Sequence, residues 1–406
     1  MRRGVLLAGL LVALSIGMAP GVQAQAPLRV GASLSQTGQF TPLALKQLRG
    51  YQLCVKHVND KGGVLGRRVE LIVEDDQSEA AAAARIYQRL ITQDKVDAVL
   101  GPYSSPLTEA VADLAEKHRM VMVAPAAAAT SIFKKGRKFI FMVLSPGETY
   151  FEGLIDMAAR RGLKTVAAVY EDTIFPKAIA QGAVDLAKKR GLRIVHLDGY
   201  PKGTTDFTTV LAKVASANPD ALIAATYFDD AVGIALRMRE SNVNPKMFGL
   251  TAGADLPTFY ELVGRNADFV YGATQWTPEL VTLVRSGQLV PVARRYPGAR
   301  EFVESHRKEF PGVEISYHTA GGYGACQVLM EGIRRAGSLD GERLRKAVLN
   351  LDMNTVYGAF KVDQDGVQIG HKMLIFQWQD GKKVIVWPDE LASDTPRFPT
   401  PPWSQR

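Results

Sequence analysis

From Leu28 to about residue 275 the chain alternates short apolar runs with stretches of helical periodicity, and few architectures accept that rhythm. The runs are LRVGASL (28–34), VELIVED (69–75), DAVLG (97–101), MVMVAP (120–125), TVAAVY (165–170), RIVHL (193–197), ALIAAT (221–226) and MFGLT (247–251). Between the first of them the spacing predicts helices over 45–59, 79–93 and 106–118. A parallel neighbour can be reached only by a crossover, so strands separated by helices of this length form parallel sheets. Most runs are apolar at consecutive positions, which suits strands buried on both faces. The fold class is therefore α/β with doubly wound layers.

A chain of 406 residues exceeds what one hydrophobic core usually supports, so two lobes are expected. The series breaks at 126–150, AAAATSIFKKGRKFIFMVLSPGETY, which carries no long helical pattern and reads as the first crossing between lobes. After Val270 come a proline-bearing stretch, helices at about 299–309, 319–336 and 340–349, and short strands around GAFKV, HKMLIFQWQ and KVIVW. Asp365-Gly366 and Asp380-Gly381 are hairpin signals. The ending from Asp394, rich in proline, reads as irregular.

Arg2 and Arg3 precede the uncharged run GVLLAGLLVALSIGM (4–18), and small residues follow at Ala24 and Ala26. These are the parts of a signal peptide over 1–26, which predicts export to the periplasm. No cysteine near the cleavage region could take a lipid. Loss of Arg2 and Arg3 lowers the formal charge of +8 by two, a mild excess without a dense basic block. That pattern permits an anionic ligand and does not make a nucleic-acid surface. Cys54 and Cys326 fall in predicted helices, where they either pair or stay as buried thiols.

The chemistry of an enzyme is missing from the sequence. Six histidines never reach metal-ligand spacing, and neither GxSxG nor GxxxxGK occurs. Glu74, Asp75 and Asp76 read as solvated charges at a strand end. Neither a catalytic residue, nor a metal, nor a cofactor is expected.

The segment NDKGGVLGRRVELIVEDDQS (59–78) closely resembles the stretch after the first helix in the leucine/isoleucine/valine-binding protein family of periplasmic receptors. SQTGQF (35–40), LGPYSSPL (100–107), VAPAAAATS (123–131), YEDTIFPKA (170–178), TYFDDA (226–231), YGAF and FQWQDGK follow in the family's order. The resemblance implies the type I periplasmic-binding-protein fold: two Rossmann-like lobes joined by three hinge crossings, with ligand in the cleft. Crossings near 140–147, 251–254 and 352–357 would place 27–142 and 253–353 in lobe 1. Lobe 2 would hold 143–252 and 354–393, and 394–406 would be a tail. A monomer delivering an amino acid or an aromatic carboxylate to an ABC permease complex is the implied role; a sensor reporting to a receptor is the alternative.

The site expectations rest on the same matches. Ser105 before Pro106 reads as a helix N-cap whose free amides suit a carboxylate, as the matching family serine does, with Tyr103 and Ser104 beside it. Ala126, Ala127 and Ala128 match the family's P-A-A-T loop, whose backbone groups and threonine bind an amino acid's charged groups. The threonine position is Ala128, and Thr130 substitutes only if the loop shifts. Phe175 stands where amino-acid binders carry tyrosine, and Tyr227 ends a strand at the cleft edge. Asp229 and Asp230 flank the family's acidic partner of the ligand ammonium. Phe40, Gly253, Asp255, Trp276 and Tyr317 complete the expected wall by loop position.

Overall fold

The computed structural model describes residues 25–282, 284, 285, 288, 289 and 294–406, so the leader lies outside the described residues except at its last two positions. Five parallel strands build the first sheet: β1 (Leu28–Leu34), β2 (Val69–Asp75), β3 (Ala98–Leu100), β4 (Met122–Ala124) and β5 (Ile140–Met142). Helices α1 (Thr41–Asp60), α2 (Ala80–Thr92) and α3 (Ser105–Lys117) supply the crossovers, and the strand order is β2-β1-β3-β4-β5. The hinge side then leads to α4 (Glu152–Arg160) and a second series. It comprises β6 (Thr165–Glu171), α5 (Ile174–Lys189), β7 (Arg193–Tyr200), α6 (Thr208–Ala217), β8 (Ala221–Ala225), α7 (Phe228–Glu240), β9 (Met247–Leu250), α8 (Pro257–Val263) and β10 (Val270–Thr274).

Two-residue strands β11 (Val284–Arg285) and β12 (Gln288–Leu289) pair with each other. Then come α9 (Ala299–Glu309), α10 (Tyr317–Ala336), α11 (Gly341–Leu349), β13 (Asp352–Thr355), β14 (Gly358–Lys361), β15 (Leu374–Gln379) and β16 (Lys382–Trp387). The second sheet runs β16-β15-β10-β9-β8-β6-β7, with β15 and β16 antiparallel. Its parallel part repeats the order of the first sheet, so each lobe has a topological switch point, at β1/β3 and at β6/β8.

The expected boundaries move. β10 pairs with β9 and β15 in the second sheet, so the chain stays in that lobe until Thr274, and the crossing placed near 251–254 is shifted to 275–277. Likewise Met142 N donates to the Gly366 carbonyl and Gln368 Nε2 to the Val143 carbonyl. Residues to about 368 therefore stay with lobe 1, and the third crossing is at 369–373 rather than 352–357. The tail does not hang free: Thr400 N and Trp403 Nε1 donate to the Lys246 and Val243 carbonyls of the second lobe. Helix α1 starts at Thr41, with Pro42 inside its first turn, four residues earlier than its periodicity suggests.

Glycine and cysteine together set the α1–α10 packing. A Cβ on Gly50 would come within 2.2 Å of the Thr319 carbonyl oxygen, and one on Gly322 within 2.5 Å of that of Gln47. One turn further along both helices, Cys54 and Cys326 are joined by a disulfide, which resolves the open alternative for this pair.

Gln275 gathers the three crossings. Ser145 N donates to its Oε1 at 2.7 Å, its Nε2 donates to the Tyr150 hydroxyl at 2.7 Å, and His371 Nε2 lies 3.0 Å from its carbonyl oxygen. A carbonyl only accepts, so His371 carries its proton on Nε2. Burial holds this imidazole's pKa at about 4, leaving it neutral.

Candidate functional site

The carboxyl ends of β1 and β3 face those of β6 and β8, and the loops that leave them enclose a chamber between the lobes. Asp75 and Asp76 shape the first loop. Asp76 is fully buried and accepts from the hydroxyls of Ser33 (2.7 Å) and Ser35 (2.5 Å), while Asp75 Oδ1 accepts from Gln36 N, Thr37 N and Gln77 N. Asp76 is thus not the solvated charge its position suggests; it pins the turn that delivers Phe40. Ser78 Oγ completes the anchorage by accepting from Phe40 N.

Nine residues line the chamber: Tyr103, Ser104, Ala126, Leu144, Tyr150, Phe175, Tyr227, Tyr317 and His318. Lobe 1 contributes Tyr103, Ser104, Ala126, Tyr317 and His318; Phe175 and Tyr227 come from lobe 2; Leu144 and Tyr150 sit on the first crossing. Phe40 closes the edge, its ring centroid 4.9 Å from Tyr227 and 5.7 Å from Tyr103. Phase by phase around the wall, Tyr227 meets Phe175 (5.3 Å), and Phe175 meets Tyr150 edge-on (5.7 Å). The volume left is about 10 Å³, room for roughly one water, so the lobes are closed onto their own side chains.

Ser104 carries backbone strain at this spot. Its φ of 83° and ψ of 153° belong to a region that favours glycine, and such residues concentrate at ligand clamps. Ser104, not Ser105, is the N-cap of α3, accepting from Leu107 N. Ser105 is fully buried one position on, and its hydroxyl accepts from Ala128 N (3.1 Å) and Ala129 N (3.3 Å). Its expected carboxylate contact is therefore replaced by a structural one, holding the 125–130 loop.

The other expected residues divide in the same way. Ala126 lines the chamber; Ala127 is buried behind it; Ala128 spends its N–H on Ser105 and its carbonyl on Gly147 N. Thr130 turns away and donates to Glu148 Oε1 at 2.6 Å. Asp229 is exposed and Asp230 accepts from the Tyr200 hydroxyl at 3.0 Å, so neither reaches the wall. Gly253 has φ 89° and packs against Phe228, and Trp276 is buried edge-on against Phe302, 5.8 Å between centroids.

Three lining residues carried no expectation: Leu144, Tyr150 and His318. His318 occupies the second position of α10, behind the Ser316 cap, and its Nε2 lies 3.1 Å from the Tyr103 hydroxyl. Burial drives its pKa down to about 3, with Lys46 acting in the same sense, so the ring is neutral. No carboxylate or ammonium is among the nine lining residues. Behind the wall lies Asp255, buried, with Oδ1 unpaired; burial raises its pKa to about 6 against the opposing pull of Lys383.

Bonds between lobes hold the closed form. Gln39 Nε2 donates to Glu171 Oε2 at 3.2 Å, and Glu314 links Lys46 (2.8 Å) to Thr258 N (3.2 Å) at the start of α8. A larger cavity of about 380 Å³, lined by Tyr296, His371, Lys372 and Pro388 among others, lies behind the hinge, away from the strand ends that converge on the chamber. Among the described residues no cluster of His, Cys, Asp or Glu could hold a metal ion, and no helix is long and apolar enough to cross a membrane.

A family model described as periplasmic binding protein matches residues 27–383. The Leu/Ile/Val-binding protein homolog 7 of Brucella melitensis is 26% identical over 408 aligned positions, covering 96% of this chain and 99% of that protein. Among solved structures, the leucine binding protein LivK of Thermotoga maritima superposes with a TM-score of 0.77 at 25% identity, covering 88% of this chain and 97% of its own. A solute binding protein of an ABC transporter from R. palustris, in complex with benzoate, has the same fold with a TM-score of 0.75 at 19% identity, over 91% and 99% of the two chains.

Proposed function

The chain belongs to the periplasmic binding protein family, and from that premise we propose that it is the solute-capturing component of an ABC importer, closing two lobes around a small aromatic carboxylate. It is a binding protein and not an enzyme, as are the relatives it matches. The observation that carries the ligand class is the wall itself: Tyr103, Tyr150, Phe175, Tyr227 and Tyr317 supply ring faces and edges, and no lining carboxylate waits for an ammonium group. A planar ring suits such walls. The benzoate-bound neighbour is an instance of this fold accepting such a ligand.

An amino acid is the second reading, favoured by Asp255, whose unpaired buried oxygen could serve an ammonium group if the wall parted toward it. The Leu/Ile/Val names of the relatives point the same way. Thermal-shift measurements on protein freed of bound ligand by unfolding and refolding separate the two, because a ligand that binds only the native state raises Tm by mass action. Benzoate- and cinnamate-type acids are expected to raise Tm and leucine and valine to leave it unchanged. The reverse pattern would replace the aromatic reading by the amino-acid one.

Export follows from the same proposal: residues 1–26 act as the signal peptide, and the mature protein works in the periplasm with a permease complex as its partner. N-terminal sequencing of the exported protein should begin just after Ala24 or Ala26.

A further inference from the structure

Two buried polar atoms of the chamber lack a hydrogen bond of ordinary geometry: the Tyr227 hydroxyl, whose side-chain neighbour is Ser104, and Nδ1 of His318. They come from opposite lobes. Tyr227 ends the β8 loop of lobe 2, and His318 opens α10 in lobe 1. A buried donor or acceptor left unmatched costs roughly 1–3 kcal/mol, so two at one cavity identify where a partner belongs. We infer that Tyr227 and His318 form a cross-lobe pair that anchors the ligand's carboxylate, with Tyr103 holding the imidazole in the donor tautomer. This assignment rests on the chamber being the site of a carboxylate ligand, and it adds which atoms recognise that group.

The tautomer is part of this assignment, with the Tyr103 phenol taken as the donor. The Tyr103 hydroxyl has His318 Nε2 as its hydrogen-bond partner, and a phenol that donates to Nε2 leaves the ring proton on Nδ1. Nδ1–H and the Tyr227 O–H then offer two neutral donors, one for each carboxylate oxygen. Tyr317 lies against the imidazole, 3.9 Å between centroids with the rings tilted by 30°.

The surrounding field also favours an anion. His318 is in the first turn of the 20-residue helix α10, and Ser104 caps the 13-residue helix α3, so two positive helix ends meet at the chamber. The same dipole of α10 disfavours an imidazolium at His318. The two neutral donors therefore both reach the carboxylate only when the lobes come together, which makes the carboxylate a reporter of closure.

Calorimetry with benzoate and with benzamide, its uncharged counterpart, tests the pair on the mature protein, using Tyr227→Phe, His318→Phe and Tyr103→Phe. Tyr227→Phe removes one oxygen from a folded wall, and its melting temperature without ligand checks the fold. Each of the first two variants should bind benzoate roughly tenfold or more weakly, the scale of one charge-assisted hydrogen bond, and benzamide should lose less. Nitrogen NMR of the imidazole should find the proton on Nδ1 in the parent protein and a mixed tautomer in Tyr103→Phe, a change that mere packing would not produce. If the parent binds benzoate and both variants match it, the pair is overturned while the binding function stands. A parent that binds no carboxylate overturns the underlying reading, and the pair with it.

Discussion

Asp230 is a buried carboxyl that accepts a hydrogen bond from the Tyr200 hydroxyl. Burial, reinforced by the Glu171 carboxylate, raises its pKa to about 7 from the ordinary 3.8. A carboxyl whose folded pKa lies above its unfolded value gives its full contribution to stability below the unfolded pKa and loses it as pH rises through the folded one. Asp230→Asn keeps an acceptor for the Tyr200 hydroxyl and is expected to raise Tm at about pH 8, with the gain vanishing near pH 4; an equal gain at both would refute the buried-charge account. Ser104 makes a second residue-scale case. Its backbone conformation costs roughly 1–3 kcal/mol, whereas glycine at an N-cap costs only a few tenths. Ser104→Gly should therefore raise the unfolding midpoint while weakening ligand binding, and a variant that loses both would show that the cap matters more than the strain. Sequence reasoning placed both residues at the cleft but could not orient them. The helical twist of α7 sends Asp229 to solvent and Asp230 to Tyr200, and the one-residue shift of the α3 cap turns Ser105 inward.

At the scale of elements, the runs from LRVGASL to MFGLT all become strands; inner strands such as β8 are buried on both faces and leave a continuous apolar signature, while β2 and β7 lie half-buried at sheet edges. The misplaced second crossing has a physical source in β10. Its five residues follow Phe269 at φ 73° and join a sheet whose next strand, β15, arrives a hundred residues later, a pairing that no local pattern announces. His318 was missed for a related reason. A lone histidine in a helical pattern carries no motif, and its hydrogen-bond partner, Tyr103, is 215 positions away in the chain. The α1–α10 pair is the element that stabilises lobe 1 most visibly, since its disulfide closes a sequence separation of 272 residues. Cys54→Ser with Cys326→Ser should cost about 2–5 kcal/mol in equilibrium unfolding, without changing ligand affinity, because the bond lies away from the chamber. A large affinity loss with unchanged stability would argue that the bond shapes the site instead.

Over the whole molecule, three crossings meet at Gln275 and two sheets aim their switch points at one chamber. Gln275→Met keeps the volume but leaves the Ser145 N–H and the Tyr150 hydroxyl unmatched, so denaturation should reveal a loss of about 1–3 kcal/mol for each group. An unchanged midpoint would show that other contacts fix the hinge. On the proposed function, the chamber, too small for a ring as it stands, admits ligand with the lobes apart and closes again around it. Small-angle X-ray scattering of ligand-stripped protein, with and without saturating benzoate, addresses that central claim most directly. A smaller radius of gyration with benzoate is the predicted result; an identical scattering envelope with benzoate demonstrably bound would contradict closure around the ligand.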